Sequence, residues 1–198
     1  MTERLPLFPL NTVLFPEGRL PLRVFEARYM DMVTRCLREG AAFGVCAIAA
    51  GEEVGAAAVP CLVGTEARID DCDMSEPGIL SLVTRGERRF RIRDHEVQPD
   101  GLLVGEVSWL PDLPHEDIPD AQADLIPLLT GILGELGDRV ARPYRLDDAA
   151  WVGARYSELL PIPTKARQAL LELDDVVSRL EIIQTYLRQH QLLPNAVP

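Results

Sequence analysis

The most constraining feature is the stretch from Leu5 to Tyr29, LPLFPLNTVLFPEGRLPLRVFEARY, where Pro6, Pro9, Pro16 and Pro21 interrupt a run of apolar residues. Proline fixes φ and has no N–H to give a β-ladder, so strands broken this way belong at sheet edges and bends. The segment predicts an irregular β lead-in to a barrel-like sheet, with a helix starting at about Glu26. Along that helix Phe25, Tyr29, Val33, Cys36 and Leu37 recur at helical spacing, and Gly40 stands where a C-terminal glycine cap belongs.

The next stretch reads as strands. Phe43–Ile48 is a short apolar strand, followed by a turn over Gly51–Gly55. From Val63 to Asp73 the pattern alternates, with Thr65, Ala67 and Ile69 on one face and Glu66, Arg68 and Asp70 on the other. Pro77-Gly78 turns into Ile79–Thr84, Arg85-Gly86 turns into Glu87–Val97, and Asp100-Gly101 precedes Leu102–Leu110. Residues 1–112 therefore predict a small β barrel or pseudo-barrel with one early helix.

Composition changes at Leu110–Pro119, LPDLPHEDIP, the best linker candidate. Beyond it the period becomes helical. Expected helices cover about Pro119–Val140 (weakened by Pro127 and three glycines), Asp147–Leu160 with Asp147 as N-cap, and Thr164–Leu171. A last one starts near Asp174, with Val176, Leu180, Ile183 and Leu187 on one face. The expected fold is α+β: residues 1–112 form the pseudo-barrel, and residues 113–198 a helical bundle packed on or beside it.

Charge narrows the function. The net charge is −11, spread over both parts: residues 1–112 carry 18 acidic and 12 basic side chains, and the rest 13 and 8. A negative potential disfavours non-specific binding to nucleic acid and to anionic membranes. No apolar run reaches the ~20 residues needed to span a bilayer, and the N-terminus lacks a basic stretch followed by an apolar one, so a cytoplasmic location is expected. Cys36, Cys46, Cys61 and Cys72 contain no C-x-x-C pair, which predicts buried free thiols in place of zinc ligands. The acidic cluster Asp70, Asp71, Asp73 and Glu76 lacks the spacing of a calcium loop and reads as a solvated turn. No metal and no cofactor are expected.

The spacing of Leu5-Pro6-Leu7-Phe8-Pro9-Leu10, Leu14-Phe15-Pro16, Leu20-Pro21-Leu22, Phe25-Glu26 and Arg28-Tyr29 resembles the N-terminal, substrate-binding domain of the Lon proteases. Val63-Gly64-Thr65 and Gly86 followed by Arg89-Phe90-Arg91-Ile92 extend the resemblance over residues 5–112. It implies a PUA-like pseudo-barrel followed by helices. Full Lon proteases continue into an ATPase module and a serine–lysine peptidase module. A phosphate loop needs G-x-x-x-x-G-K-[ST], yet Lys165, the only lysine, follows Pro163-Thr164 with no glycine loop. The resemblance therefore implies binding without hydrolysis.

Two groups of residues are candidate sites. Phe8, Phe15, Leu20, Phe25 and Tyr29 either belong to the core, the usual fate of such side chains, or line an apolar groove for peptide. Arg89, Arg91 and Arg93 project from one strand face. They either clamp an anion or partner, or pair across the sheet with the acidic row Glu66 and Asp70. His95, His115 and His190 stand in solvated or frayed settings, and no G-x-S-x-G elbow is present, so no catalytic residue is expected. The leading expectation is a non-catalytic, ATP-independent module that binds unfolded polypeptide or a protein partner such as a protease or chaperone. The tail Leu192–Pro198 is a candidate natural occupant of the groove. The alternatives are a PUA-like nucleic-acid-binding protein and a small-molecule-binding protein.

Overall fold

Pro6 and Pro9 both lie inside the first strand, β1 (Glu3–Leu10), which is an inner strand of the sheet. Its two halves use opposite edges. Glu3–Leu7 pair antiparallel with β6 (Leu103–Trp109), and Leu7–Leu10 pair parallel with β3 (Phe43–Ala50). Each half leaves one edge open, and a proline there needs no donor on that side. The expectation that these prolines mark sheet-edge strands is corrected in that sense.

The computed structural model describes residues 2–193. The chain divides into two units, Met1–Asp112 and Leu113–Pro198. In the first, β2 (Arg19–Val24), β4 (Val59–Glu76) and β5 (Ile79–Val97) complete a six-stranded sheet of order β2-β5-β4-β3-β1-β6. β6 also pairs with β5, which closes the sheet on itself. One long strand makes this possible: the first part of β5 pairs with β2, and the second part with β6.

The expected turn at Arg85-Gly86 is absent, because β5 runs through it without a break. Gly86 has another task. Its N–H donates to Gly18 C=O (2.9 Å) and its C=O accepts from Glu17 N–H (2.8 Å). A Cβ here would stand 2.1 Å from the Phe15 carbonyl oxygen, so only glycine lets the two chains approach. Deeper in the barrel the Phe90 ring occupies the space that Cβ atoms on Gly44 and Gly64 would take, beside Leu5, Leu7, Ile92 and Val107.

The helix α1 (Ala27–Glu39) follows β2, with Glu26 as N-cap and Gly40 at φ +63° as C-cap. Its buried stripe is Arg28, Tyr29, Met32, Val33 and Cys36. Phe25 precedes the helix and escapes the helical period, and Leu37 is rotated off the stripe; both are about half exposed.

In the second unit the expected Pro119–Val140 helix resolves into a 3-10 turn at Asp120–Gln122, α2 (Leu125–Leu136), and a second turn from Gly137, whose φ is +54°. Then come α3 (Ala149–Leu159), α4 (Thr164–Glu172) and α5 (Val176–Gln189). Asp148, one residue later than expected, caps α3 by accepting from Ala150 N–H (3.0 Å). The α5 face Val176, Leu180, Ile183 and Leu187 is buried, packed with Leu125, Leu129, Val152 and Tyr156. Among them lie two cations that periodicity did not reveal. Arg155 meets Glu158 (3.2 Å), and Arg179 donates to Leu173 C=O. Part of the expected linker belongs to this unit: Glu116 C=O accepts from Ala149 N–H (2.8 Å), and His115 Nδ1 lies 3.5 Å from Asp148.

Candidate functional site

In the first unit β2 and the end of β1 border a groove of about 360 Å³. Phe8 and Leu10 come from β1, Leu20–Val24 from β2, Phe25 and Glu26 from the β2–α1 junction, Tyr29 from α1, and Glu53 and Val54 from the loop after β3. The Phe8 and Tyr29 rings stack at 3.9 Å, and the Arg28 guanidinium lies 4.8 Å from the Tyr29 centroid. Arg28 is fixed in turn by Glu26 (2.7 Å) and by Gly101 C=O (3.1 Å). Burial pushes the Tyr29 phenol above its ordinary value, so it stays neutral. The floor is apolar, whereas Phe25 and Val54 at the rim are more than half exposed.

Four of the five apolar candidates, Phe8, Leu20, Phe25 and Tyr29, thus line one groove. Phe15 does not. It is 1% exposed, and its carbonyl holds Gly18 N–H (3.0 Å), so Phe15 is a core residue and the peptide-contact expectation is corrected there. The groove residues that the sequence did not single out as candidates include Leu10, Leu22, Glu53 and Val54. The only signal at the last two was the turn over Gly51–Gly55, because pairing over a long sequence separation brings that loop to β2.

The arginine row is also redistributed. Arg89 is buried (4% exposed) and donates to Pro111 C=O (3.5 Å). Arg91 is half-buried, and exposed Arg93 donates to Ser108 Oγ (2.8 Å). Such different settings do not make a common anion clamp. The acidic row pairs instead with Arg88 and Arg85: Arg88–Glu66 is 3.1 Å and Arg85–Asp70 3.4 Å. Thr65 stands opposite Arg89, which sets Glu66 opposite Arg88, and the register shift before Ala67↔Gly86 then turns Arg85 to the acidic face. Arg88 also lies 3.9 Å from the Trp109 ring centroid.

The remaining candidates are quickly placed. Cys36 and Cys46 are buried, Cys61 and Cys72 half-buried, and none forms a disulfide. Among the described residues no group of three or more His, Cys, Asp or Glu side chains is placed to hold a metal ion. Among them, too, no helix is long and apolar enough to cross a membrane. Of the tail proposed as occupant, Leu193 packs into the core of the second unit and Leu192 is exposed; residues 194–198 lie outside the described residues.

Comparison with known proteins decides the family. Residues 4–189 match the family described as the ATP-dependent protease La (LON) substrate-binding domain. The chain belongs to the Lon substrate-binding domain family. A solved Lon N-terminal domain protein from Xanthomonas campestris is 42% identical, with a TM-score of 0.79 over 93% of this chain and 98% of that one. The N-terminal domain of a Mycobacterium avium complex Lon protease shares the fold at 22% identity, with a TM-score of 0.66 over 95% of this chain and all of that one. Lon protease 2 of Myxococcus xanthus is 27% identical and the Lon protease of Anaeromyxobacter dehalogenans 26% identical, each over 96% of this chain. This Lon substrate-binding domain spans about a quarter (24%) of the length of those two proteases. The α+β pseudo-barrel with following helices is therefore the Lon N-terminal fold.

Proposed function

We propose that this Lon-type domain binds unfolded polypeptide through the β1–β2–α1 groove, without catalysis or ATP, and serves as an adaptor that presents bound chains to a protease or chaperone. The observation that carries this reading is the pairing of exposed Phe25 and Val54 with an apolar floor. Large apolar side chains that stay in water around a concave surface mark interaction sites. Among the described residues the groove brings together no nucleophile with an adjacent base, the arrangement that nucleophilic catalysis needs. An acidic surface suits a polypeptide ligand better than a nucleic acid, whose phosphates it repels.

The test is binding of a reduced, unfolded model protein to the purified domain, followed by fluorescence anisotropy. Saturable micromolar binding that Phe25→Asp weakens at least tenfold is the expected result. No binding, or binding indifferent to Phe25→Asp, would refute the reading.

A further inference from the structure

The way β2 lies in the groove indicates how a ligand is held, an inference that rests on the polypeptide-binding reading above. Consecutive residues from Leu20 to Glu26 line the groove. Successive side chains of a strand point to opposite faces of a sheet. A groove that touches each residue in turn therefore runs along the strand edge and meets its main chain. Among the described residues β2 is the terminal strand of the order and pairs with β5 alone.

The direction of each main-chain group follows from the register. The bond from Gly86 N–H to Gly18 C=O turns the Gly18 carbonyl toward β5. Pairing then continues without a shift from Arg19↔Arg85 to Val24↔Leu80. In an antiparallel ladder bonded and non-bonded pairs alternate, so Leu20, Leu22 and Val24 turn their main chain toward β5. Pro21 and Arg23 turn theirs to the open edge. Proline fits there because the ladder with β5 asks no N–H of it.

Charge at the mouth is also uneven. Arg23 is neutralised by Glu76 (2.8 Å) and Glu26 by Arg28 (2.7 Å). Glu53 bonds instead to the neutral amide of Asn11 (3.0 Å), which leaves a net negative charge beside the apolar floor.

We infer that the open edge of β2 captures an extended polypeptide by strand addition. The N–H of Arg23 and the C=O groups of Pro21 and Arg23 bond the main chain of the incoming segment. Its alternate side chains enter the floor beside Phe8 and Tyr29, and a basic neighbour meets Glu53. The preferred ligand is thus an extended apolar segment with a cationic flank. Because Pro21 offers an acceptor and no donor, the edge pairs weakly with strands that lack the apolar anchor, which guards it against indiscriminate sheet extension.

The experiment uses a short fluorescein-labelled peptide of alternating leucine and threonine with arginine beside the central leucine, and copies N-methylated at one amide at a time. Strand addition predicts that methylation at alternate amides weakens binding about tenfold, while the amides between tolerate it. Binding of the parent peptide with uniform tolerance along the series overturns strand addition and leaves the polypeptide-binding reading standing. No binding of the parent overturns both. Glu53→Gln is expected to weaken the arginine peptide about threefold at low salt and to leave a glutamine version unchanged; equal effects on both overturn the charge assignment. A stable dimer in sedimentation that excess peptide does not dissociate would mean that a second copy fills the edge, and this too overturns the proposal.

Discussion

The Phe8 and Tyr29 rings lie nearly parallel, 17° apart in plane with 3.9 Å between centroids, one from β1 and the other from α1. The contact joins the helix to the barrel and at the same time forms the groove floor. Stability and the proposed binding surface therefore meet at these two residues and separate at Phe25, which is 54% exposed. Phe8→Ala is expected to cost about 3–5 kcal/mol through lost burial and a residual cavity. Phe25→Ser is expected to change stability by about 0.5 kcal/mol or less while weakening peptide binding. Urea denaturation with parallel binding measurements checks both; a Phe25 variant as unstable as the Phe8 one would contradict the assignment.

Two glycine-to-alanine changes are expected to act with opposite signs. At Gly86 a Cβ meets the Phe15 carbonyl oxygen at 2.1 Å, a main-chain atom that cannot swing aside, so Gly86→Ala is expected to cost about 3 kcal/mol or more. At Gly131, inside α2, a Cβ meets nothing within 4 Å. Gly131→Ala is expected to stabilise by about 0.5–1 kcal/mol through helix propensity. The unfolding midpoints of the two variants should move in opposite directions from that of the parent.

The N-cap of α5 predicts a pH dependence. Ser178 N–H, at 2.6 Å, is the main cause holding the Asp175 carboxyl below its ordinary value of 3.8. The unfolded chain takes up this proton before the folded one does. The contribution of Asp175 is thus complete above the ordinary carboxylate range, and is lost as pH falls from there through the folded value. Asn caps a helix nearly as well and does not titrate. Asp175→Asn should therefore flatten the acid limb of the stability–pH curve while leaving the neutral plateau close to the parent's. An unchanged acid limb would show that the cap is not titrating in this window.

Thiol reactivity should follow burial. Complete burial pushes the Cys46 thiol far above its ordinary range, and burial raises Cys36 as well. For Cys72 burial acts first, with Asp71 and Asp73 adding repulsion. Because the thiolate is the reactive form, Cys46 should be labelled only when the barrel opens, whereas half-buried Cys72 should react in the native state and faster as pH rises. Mass-spectrometric mapping after timed alkylation gives the order; equal rates at Cys46 and Cys72 would contradict it.

Much of the fold was legible residue by residue. The α5 spacing of Val176, Leu180, Ile183 and Leu187, and Gly40 at the end of α1, follow from local periodicity and backbone preference, which need no distant partner. Continuity of β5 through Arg85-Gly86 was not legible, because glycine after arginine looks like a turn until the Phe15–Gly18 backbone is seen pressed against it. The ion pairs of Glu66 and Asp70 were misplaced for a related reason. The β4–β5 register puts Thr65 opposite Arg89 and so Glu66 opposite Arg88, a register shift then brings Arg85 to the same face, and nothing in the local sequence announces either.

The candidate site divides along the same line. The sequence by itself determined that Phe8, Phe15, Leu20, Phe25 and Tyr29 are apolar side chains set among prolines at a strand-to-helix entrance, together with the family resemblance they carry. Only the tertiary structure decided which of them meet. Phe15 faces inward where β5 crosses it, Phe25 is left in water because it falls just before the helix begins, and the Glu53–Val54 loop meets the groove because β3 runs beside β1 and Glu53 bonds Asn11. Local periodicity fixes the direction of a side chain relative to its own element. Strand pairing between residues far apart in the chain fixes what stands opposite.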